Sequence, residues 1–359
     1  MSEQTASESG LLRRENGYDA LRLLLAVTVI FAHSFPIGGF GNDPGGDFFQ
    51  HQMLLGHMAV LGFFGLSGFL VAASCERTRG AVPFLRKRFL RIFPGYWCCL
   101  LVCAFVFAPA IAAVRGLTAG YSLAGDSGAF GYVAHNFFII IRQQSIGPLL
   151  VGLAHSTDLN SSLWSLWPEF FCYACLALLG MAGGLSRNRP LAFITVLLIG
   201  AFHVLRTAAP SLHAPLLPVQ IDQTIYLPFL LSFAIGVALY AWRNSFSPSP
   251  ITTLVIGAVT LYVLHTGGFV LAGPVLIPLL VVFCGACFKL HLKHDFSYGL
   301  YIYSFPAQQL IIAASPNMRW PAYLAASLAL SFGFACASWF LVERHFLRSR
   351  VAAANLTAH

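Results

Sequence analysis

Ionisable side chains stand at helical spacing inside long apolar stretches of this sequence. In DALRLLLAVTVIFAH, Arg22 and His33 are eleven positions apart, which is about three turns and roughly 16 Å along one helix face. A histidine at such depth can take a proton from a reacting hydroxyl, and an arginine can hold an anion. The pattern predicts a helix with one polar face lining a cavity. A packed core histidine and an arginine that reaches the membrane interface are the alternative interpretations.

Two further arginines lie close together near the start of a later apolar stretch. FLRKRFLRIFPGYW places Arg88 and Arg91 three positions apart, before an expected helix break at Pro94 and Gly95. Neighbouring guanidinium groups suit bidentate recognition of phosphate. The pair therefore predicts a phosphate site at the membrane edge, with a simple positively charged anchor as the alternative.

A carboxylate begins another apolar run. SLWSLWPEFF holds Trp164, and it places Ser165 four positions before Glu169, so that the serine and the carboxylate share a helix face. An unpaired carboxylate in a membrane is costly, so Glu169 is expected to have a partner. The candidate partners are Arg22, Arg88, Arg91 and His33.

Two segments carry hydroxyl groups in apolar surroundings. FFGLSGFL sets Ser67 among glycines, which favours close helix packing over a backbone that faces a ligand. FSYGLYIYSFP aligns Tyr298 and Tyr301 along one helix, where an aromatic belt is the alternative to a substrate-lining role. Glu343, in LVERHFLR, is interpreted as an anchor where the last span leaves the bilayer.

The composition identifies the elements that must hold these residues. Of 359 residues, 57% are hydrophobic and 9% are charged, whereas ordinary soluble proteins are about 25% charged. So few charges cannot cover the surface of a soluble protein, which predicts a membrane protein. The N-terminal MSEQTASESGLLRREN has no apolar core of a signal peptide, so the first apolar segment is expected to be retained as a span.

Ten apolar segments of about the length needed to cross a bilayer follow one another. They are Ala20–Ile37, Met53–Cys75, Ile92–Val114, Leu163–Met181, Pro190–Leu205, Ile225–Trp242, Ile251–His265, Phe269–Phe288, Ser297–Ala314 and Pro321–Val342. The predicted fold class is all-α, a polytopic membrane bundle of about ten transmembrane helices. Around His265 the seventh and eighth segments could instead form one broken unit.

The positive charges give this bundle an orientation. Of 21 lysines and arginines, 17 fall on one side of the predicted spans, as the positive-inside rule requires of the cytoplasmic side. Both termini are therefore expected to be cytoplasmic. Residues 1–19 form a short polar N-terminus, 20–343 the membrane domain and 344–359 a tail. The net charge of +8 follows from this topology and does not require a nucleic-acid partner.

The cysteines and the longest loop complete the pattern. The C-x-x-C pairs at Cys172 and Cys284 lie in apolar runs without a histidine pair at zinc-site spacing, so we expect packing cysteines and no metal site. The longest segment between spans contains YVAHNFFIIIRQQ, residues 132–144. This segment is either a re-entrant or interfacial helix that covers a cavity or a surface loop.

In their order along nearly the whole chain, six segments resemble the acyltransferase-3 family of bacterial integral membrane acyltransferases. The segments are DALRLLLAVTVIFAH, FFGLSGFL, RKRFLRIFPGYW, LWSLWPEFF, FSYGLYIYSFP and LVERHFLR. The resemblance implies a ten-helix domain in the bacterial cytoplasmic (inner) membrane. It would move an acyl group, with acetyl expected, from cytoplasmic acyl-CoA to a hydroxyl of an extracytoplasmic or lipid-linked glycan.

The family pattern also implies site residues. Its matching positions are Arg22 with His33, Arg88 with Arg91, and Trp164, Ser165 and Glu169. Two positions depart from it, because Ser304 stands where the tyrosine-rich segment often has the histidine of His-x-Pro, and His345 follows Glu343 and Arg344 in place of a proline. No specific role is therefore assigned to that end of the chain.

The expected chemistry is proton abstraction by His33, with Glu169 orienting or charge-stabilising it and Arg22 further along the donor path. Arg88 and Arg91 would hold the phosphates of acyl-CoA, which is a co-substrate; no bound cofactor is expected. The substrate-lining residues would be Ser67, Trp164, Ser165, Tyr298 and Tyr301. The expected partners are acyl-CoA, a glycan or lipid-linked saccharide, and the lipid bilayer.

Two alternatives stay open. A covalent acyl-enzyme on a serine or cysteine is compatible with the same residues. A transporter or flippase of a lipid-linked saccharide is the other, because buried charged groups also mark transport paths.

Overall fold

The computed structural model describes residues 10–12, 16–118, 121–186, 188–209, 223–290 and 292–347, and these residues contain helices and no strand. The α-helices are α1 (Tyr18–Gly38), α2 (Pro44–Phe48), α3 (Leu55–Arg77), α4 (Ala81–Val102), α5 (Ala108–Val114), α6 (Ala129–Asn136), α7 (Leu166–Met181), α8 (Pro190–Ala208), α9 (Gln223–Ala241), α10 (Pro250–Thr266), α11 (Phe269–Cys287), α12 (Ser297–Ala314) and α13 (Trp320–Ser338). The all-α prediction is thus confirmed for the described residues. Most of the predicted N-terminal segment and of the predicted tail lies outside them.

Each of the ten predicted spans coincides with a helix or with consecutive helices. Within the described residues, seven helical segments are long and apolar enough to cross a membrane. The apolar parts of α9 and α10 are shorter, and α12 carries buried polar side chains such as Ser304, Gln308 and Gln309. The structure therefore supports a multi-pass membrane protein, while the count of ten spans and the cytoplasmic termini stay predictions.

The helix that carries the arginine pair differs from its prediction. We expected a span from Ile92 and a break at Pro94 and Gly95, but α4 begins at Ala81 and continues through both residues. Its continuation includes a π-helical turn at Cys103–Phe107 before α5. Gly95 has a packing reason, because a Cβ there would lie 2.7 Å from a ring carbon of Tyr298.

Helix α3 lies at the centre of the bundle, where it packs extensively against α9 and also contacts α1 and α11. Its glycines allow this proximity. A Cβ on Gly68 would lie 2.1 Å from the carbonyl oxygen of Phe233, and one on Gly65 would lie 2.5 Å from Pro278. The predicted packing role of FFGLSGFL is therefore confirmed.

The structure bears on two connecting segments, the one around His265 and the segment 132–144. Gly267 and Gly268, both with positive φ, separate α10 from α11, so the seventh and eighth segments are two helices. In the segment 132–144, α6 ends at Asn136, whose side-chain oxygen accepts hydrogen bonds from the backbone of Arg142 and Gln143. Trp97 of α4 stacks on Phe137. The segment is a short helix and a folded loop packed on α4.

Candidate active site

Two polar clusters lie at opposite ends of α1, which we call the Arg22 end and the His33 end. At the Arg22 end, Arg22 Nη1 donates to Asp295 Oδ2 at 2.9 Å, and Arg91 Nη2 donates to the same oxygen. The other oxygen of Asp295 accepts from the backbone nitrogen of Ser297 at 3.2 Å. One carboxylate in the loop before α12 therefore links α1, α4 and α12.

The two arginines also set the ionisation of Asp295. Burial by itself would raise the pKa of this carboxyl group, but the charges of Arg22 and then Arg91 outweigh burial and hold its pKa below the usual range. The hydrogen bonds from Ser297 act in the same direction. Asp295 is thus a carboxylate that neutralises part of the positive charge at this end.

Glu343 joins the same network. Its side chain is 3% exposed, one oxygen accepts from Ser338 Oγ at 2.8 Å, and the other lies 3.9 Å from Arg91 Nη1. Our interpretation of Glu343 as an exit anchor is therefore wrong, because the π-helical turn Trp339–Glu343 at the end of α13 directs the carboxylate inward.

A cavity of about 60 Å³ opens beside this network. Six of the ten predicted site residues line it, namely Arg22, Arg91, Ser165, Glu169, Tyr298 and Tyr301. Val60, Phe63 and Phe64 of α3 supply its apolar wall. The structure thus brings residues of α1, α4, α7 and α12 together around one space.

Hydroxyl groups surround the carboxylate of Glu169. Its Oε1 accepts from Ser67 Oγ at 2.9 Å and from Tyr173 OH at 2.5 Å, and the two hydroxyls are 3.1 Å apart. Glu169 is therefore hydrogen-bonded to hydroxyls and not to a predicted cationic partner. Ser67 does not line the cavity itself and is connected to it through this hydrogen bond to Glu169. Tyr173 was not predicted, although its position four residues after Glu169 on the same helix could have indicated it.

The tyrosines of α12 are fixed by their hydroxyl groups. Tyr301 OH lies 2.7 Å from Ser165 Oγ, and Tyr298 OH donates to the carbonyl of Ile92 at 2.8 Å. A substrate that entered the cavity would meet hydroxyls and guanidinium groups held in place by neighbouring helices.

Arg88 differs from Arg91 in its surroundings. Its Nη2 donates to Ser74 Oγ at 3.2 Å, and its guanidinium lies about 6 Å from the rings of Phe84 and Tyr173. Its Nε is buried without a hydrogen-bond partner, and in the described residues Arg88 forms no ion pair. Arg91 is thus neutralised by carboxylates in direct contact, whereas Arg88 interacts with the carboxylate of Glu169 only through space.

His33 lies away from the cavity, at the His33 end. Its ring contacts Phe305 edge-on, with centroids 5.5 Å apart, and its Nδ1 is buried without a hydrogen-bond partner among the described residues. Its Nε2 would lie 3.6 Å from a Cβ on Gly56, where Asp43 also makes contact. Because Glu169 lines the cavity at the Arg22 end and bonds to hydroxyls, it does not orient His33 in the way we expected.

Asp43 and Trp164 complete the His33 end. The carboxylate of Asp43 accepts from the backbone nitrogens of Gly45, Leu55 and Gly56, so it joins the start of α2 to the start of α3. Trp164 contacts the ring of His57, with centroids 6.2 Å apart, and does not line the Arg22-end cavity. The predicted site residues are therefore divided between two places.

Comparisons with known proteins agree with the motifs. A family model described as an acyltransferase domain matches residues 15–341. The chain is 26% identical to a protein of Shigella phage Sf6 named O-acetyl transferase, over 94% of this chain and 97% of that protein. It is 25% identical to nodulation protein 10 of Rhizobium leguminosarum bv. viciae, over 94% of each chain. No solved structure gives a significant match.

Proposed function

The chain belongs to the acyltransferase-3 family, and we propose that it is an O-acyltransferase that takes an acyl group from acyl-CoA at the Arg22 end and passes it to a glycan hydroxyl at the His33 end. The observation that carries this proposal is the division of the site along α1. Cationic groups and a cavity lie at one end, and a histidine with a bare ring nitrogen lies at the other. A donor and an acceptor on opposite membrane faces require such a division.

Arg88 is the donor-binding arginine of this proposal. A buried guanidinium without a direct ion pair is costly, and a phosphate of acyl-CoA would supply that pair with two parallel hydrogen bonds. Arg91 has Asp295 and Glu343 as partners, so a phosphate would have to compete with them. We therefore assign phosphate binding to Arg88 and the positioning of Asp295 to Arg91.

In this proposal, one face of helix α12 lies along the route of the donor between the two ends. Tyr298, Tyr301 and Phe305 follow one another at spacings of three and four, which places them on one face of the helix. The first two line the cavity, and Phe305 contacts His33. The thioester end of the donor would extend along this face toward His33, while the nucleotide stays near Arg88.

The reaction then needs two proton transfers, one from the acceptor hydroxyl and one to the sulfur of the leaving coenzyme A. His33 takes the proton from the acceptor hydroxyl as its oxygen attacks the thioester carbonyl. The carbon–sulfur bond breaks, the coenzyme A thiolate leaves, and the protonated imidazole returns the proton to the sulfur. The products are an ester on the glycan and free coenzyme A, and no further reactant is required. Acetyl is the expected group, and the bacterial inner membrane is the expected location.

Direct transfer competes with an acyl-serine intermediate at Ser67. The hydroxyl of Ser67 donates to Glu169, so a base lies next to it. Tyr173 bonds to the same carboxylate oxygen at a shorter distance, and this sharing favours a positioning role for Ser67. Mass spectrometry of the protein quenched during turnover tests the point, because a covalent intermediate adds an acyl group to the peptide that contains Ser67.

Acetyl-CoA consumption distinguishes the proposed enzyme from a transporter or flippase of a lipid-linked saccharide. Purified protein in liposomes would receive radiolabelled acetyl-CoA and a bacterial surface glycan. We expect label in the glycan and one free coenzyme A for each ester formed. Movement of saccharide across the bilayer without release of coenzyme A would instead establish transport.

A further inference from the structure

A second histidine lies at the His33 end, on the loop that precedes α7. His155 Nε2 is 3.1 Å from Asp158 Oδ2, and Thr157 Oγ1 donates to the same carboxylate oxygen at 2.8 Å. An ionised carboxylate can only accept, so the contact requires a proton on Nε2, and in the Nε2–H tautomer Nδ1 carries a lone pair. His155 therefore offers Nδ1 as a hydrogen-bond acceptor, and the contact with Asp158 favours the tautomer in which it does so.

This pair is held more firmly than a surface pair. Gln309 of α12 is fully buried, and its amide nitrogen donates to the backbone carbonyls of both His155 and Asp158, at 2.9 and 3.0 Å. Asn160, two residues further on, donates to the carbonyl of Ile302 at 2.8 Å. Two buried amides thus fasten the loop to α12 on either side of Asp158.

The pair also lies beside His33. Phe305 is 2% exposed and contacts both imidazoles edge-on, with centroid distances of 5.5 Å to His33 and 5.2 Å to His155. The side chain of His155 is 29% exposed, so molecules from outside the bundle can reach it. One imidazole is thus at the rim and the other deeper, against the same phenyl ring.

Several buried polar atoms near this place have no partner within the described residues. They are His33 Nδ1, Asn160 Oδ1, Ser162 Oγ and Gln309 Oε1. Each such atom costs about 1–3 kcal/mol if nothing bonds to it. The four atoms lie on α1, on α12 and on the segment before α7 that Gln309 and Asn160 hold against α12. A ligand with several hydroxyl groups would satisfy those of the four atoms that it reaches, and His33 Nδ1 is the one beside the ring of Phe305.

We propose that His155, oriented by Asp158, binds a second hydroxyl of the acceptor while the reacting hydroxyl lies at His33. This inference rests on the proposed function and adds the residues that would orient its glycan acceptor. The acceptor would be a sugar residue or similar polyol, because one molecule must present two hydroxyls to His33 and His155, which contact the same ring of Phe305. A hydroxyl that donates to His155 Nδ1 fixes which neighbouring hydroxyl faces His33, so His155 also selects the position that is acylated.

The test compares His155→Ala and Asp158→Asn with His135→Ala in the full-length protein in lipid nanodiscs. His135 is an exposed histidine on α6, hydrogen-bonded to Gln143, and serves as the matched control. The acceptors are methyl pyranosides of glucose, galactose, mannose, rhamnose and N-acetylglucosamine, with radiolabelled acetyl-CoA as donor. Cyclohexanol is the acceptor with a single hydroxyl.

We expect both site variants to raise KM for the best glycoside about tenfold, which corresponds to the loss of about 1.4 kcal/mol, and to leave KM for acetyl-CoA unchanged. His155→Asn should recover part of the affinity, because its amide oxygen can accept a hydrogen bond near the position of Nδ1. Transfer to cyclohexanol, in contrast, should not depend on His155. Unchanged glycoside KM in both variants, or an equal change in His135→Ala, would overturn the proposal.

A binding measurement separates this inference from the proposed reaction. Without acetyl-CoA, and at a glycoside concentration near the parental KM, the glycoside should raise the unfolding temperature of the parent protein and of His135→Ala clearly more than that of His155→Ala. Binding that requires His155, without acetyl transfer, would support the acceptor site and refute the reaction. Acetyl transfer that does not depend on His155 would support the reaction and refute the acceptor site. A parent protein that neither binds nor acetylates any glycoside would refute the acceptor site and the reaction.

Discussion

Replacing Asp295 with asparagine should expose the cost of the buried charges at the Arg22 end. The substitution keeps the size of the side chain and an oxygen that can accept from Ser297, so it removes mainly the charge. The side chains of Asp295 and Arg91 are 18% and 14% exposed, and that of Arg22 is 28% exposed. Breaking a buried ion pair costs about 3–5 kcal/mol, and this partial exposure favours the lower end, about 3 kcal/mol.

The assay is thermal unfolding of the purified protein in detergent, followed by tryptophan fluorescence. A loss of about 3 kcal/mol lowers the unfolding temperature of a chain of this size by roughly 4 °C. Asp47→Asn is the control, because Asp47 is exposed on α2. A double substitution of Asp295→Asn with Arg91→Gln should be less destabilising than the sum of the single changes by about 2 kcal/mol. Full additivity, or an unfolding temperature equal to that of the control, would refute the reasoning.

The pH dependence follows from the direction of the pKa shift. Because the pKa of Asp295 is lowered in the folded state, its contribution is complete above the ordinary aspartate pKa of about 4 and disappears as the pH falls below it. The stability difference between the parent and Asp295→Asn should therefore be constant above about pH 5 and shrink in stronger acid. A difference that grew on acidification would contradict the assignment.

Four further changes test other parts of the structure. Arg88→Lys should raise KM for acetyl-CoA about tenfold without changing stability, because a lysine cannot form the bidentate contact, and an equal effect in exposed Arg86→Lys would contradict this. His33→Ala should accumulate normally and bind donor but lose kcat about 100-fold or more; transfer at the parental rate would rule out its role as base. Ser67→Ala should keep activity within about tenfold, since it removes one of two hydroxyl bonds to Glu169, whereas complete loss together with an acylated peptide in the parent would indicate a nucleophile. Gly68→Ala should prevent stable folding, because its Cβ would lie 2.1 Å from the carbonyl oxygen of Phe233. Gly333→Ala is the control and should be tolerated, because a Cβ there would have no described atom within 4 Å. Equal expression of the two variants would contradict the packing of α3 on α9.

Hydrophobic patterning predicted where the helices lie because membrane spans are long apolar runs that depend little on tertiary contacts. It failed at the start of α4, since a turn that carries Arg86, Lys87 and Arg88 has the composition of a loop. The break expected at Pro94 also failed. A proline within a helix frees one backbone carbonyl, and a membrane helix can satisfy it through its neighbours.

Motif spacing predicted residues that line the cavity but not the carboxylates that position them. Asp295 is 204 positions from Arg91 and 273 from Arg22, so no local pattern connects them. It stands in the short polar sequence KHD between two spans, where an aspartate ordinarily faces solvent. The pairing of Glu169 with His33 was predicted from residue types alone, and the fold places the two groups in different clusters.

The same long-range contacts explain how one helix can serve both ends of the proposed reaction. Arg22 ties the start of α1 to Asp295, two residues before α12, and Gln308 of α12 donates to the carbonyl of Ile30 at 2.8 Å near the other end. These two contacts determine the register of α1 against α12, on the face of α12 that carries Tyr298, Tyr301 and Phe305. Since Arg22 and His33 both belong to α1, this register places His33 relative to the donor cavity. A weakened Asp295 contact should therefore reduce turnover through the position of His33, whereas a weakened Arg88 contact should act on donor binding alone.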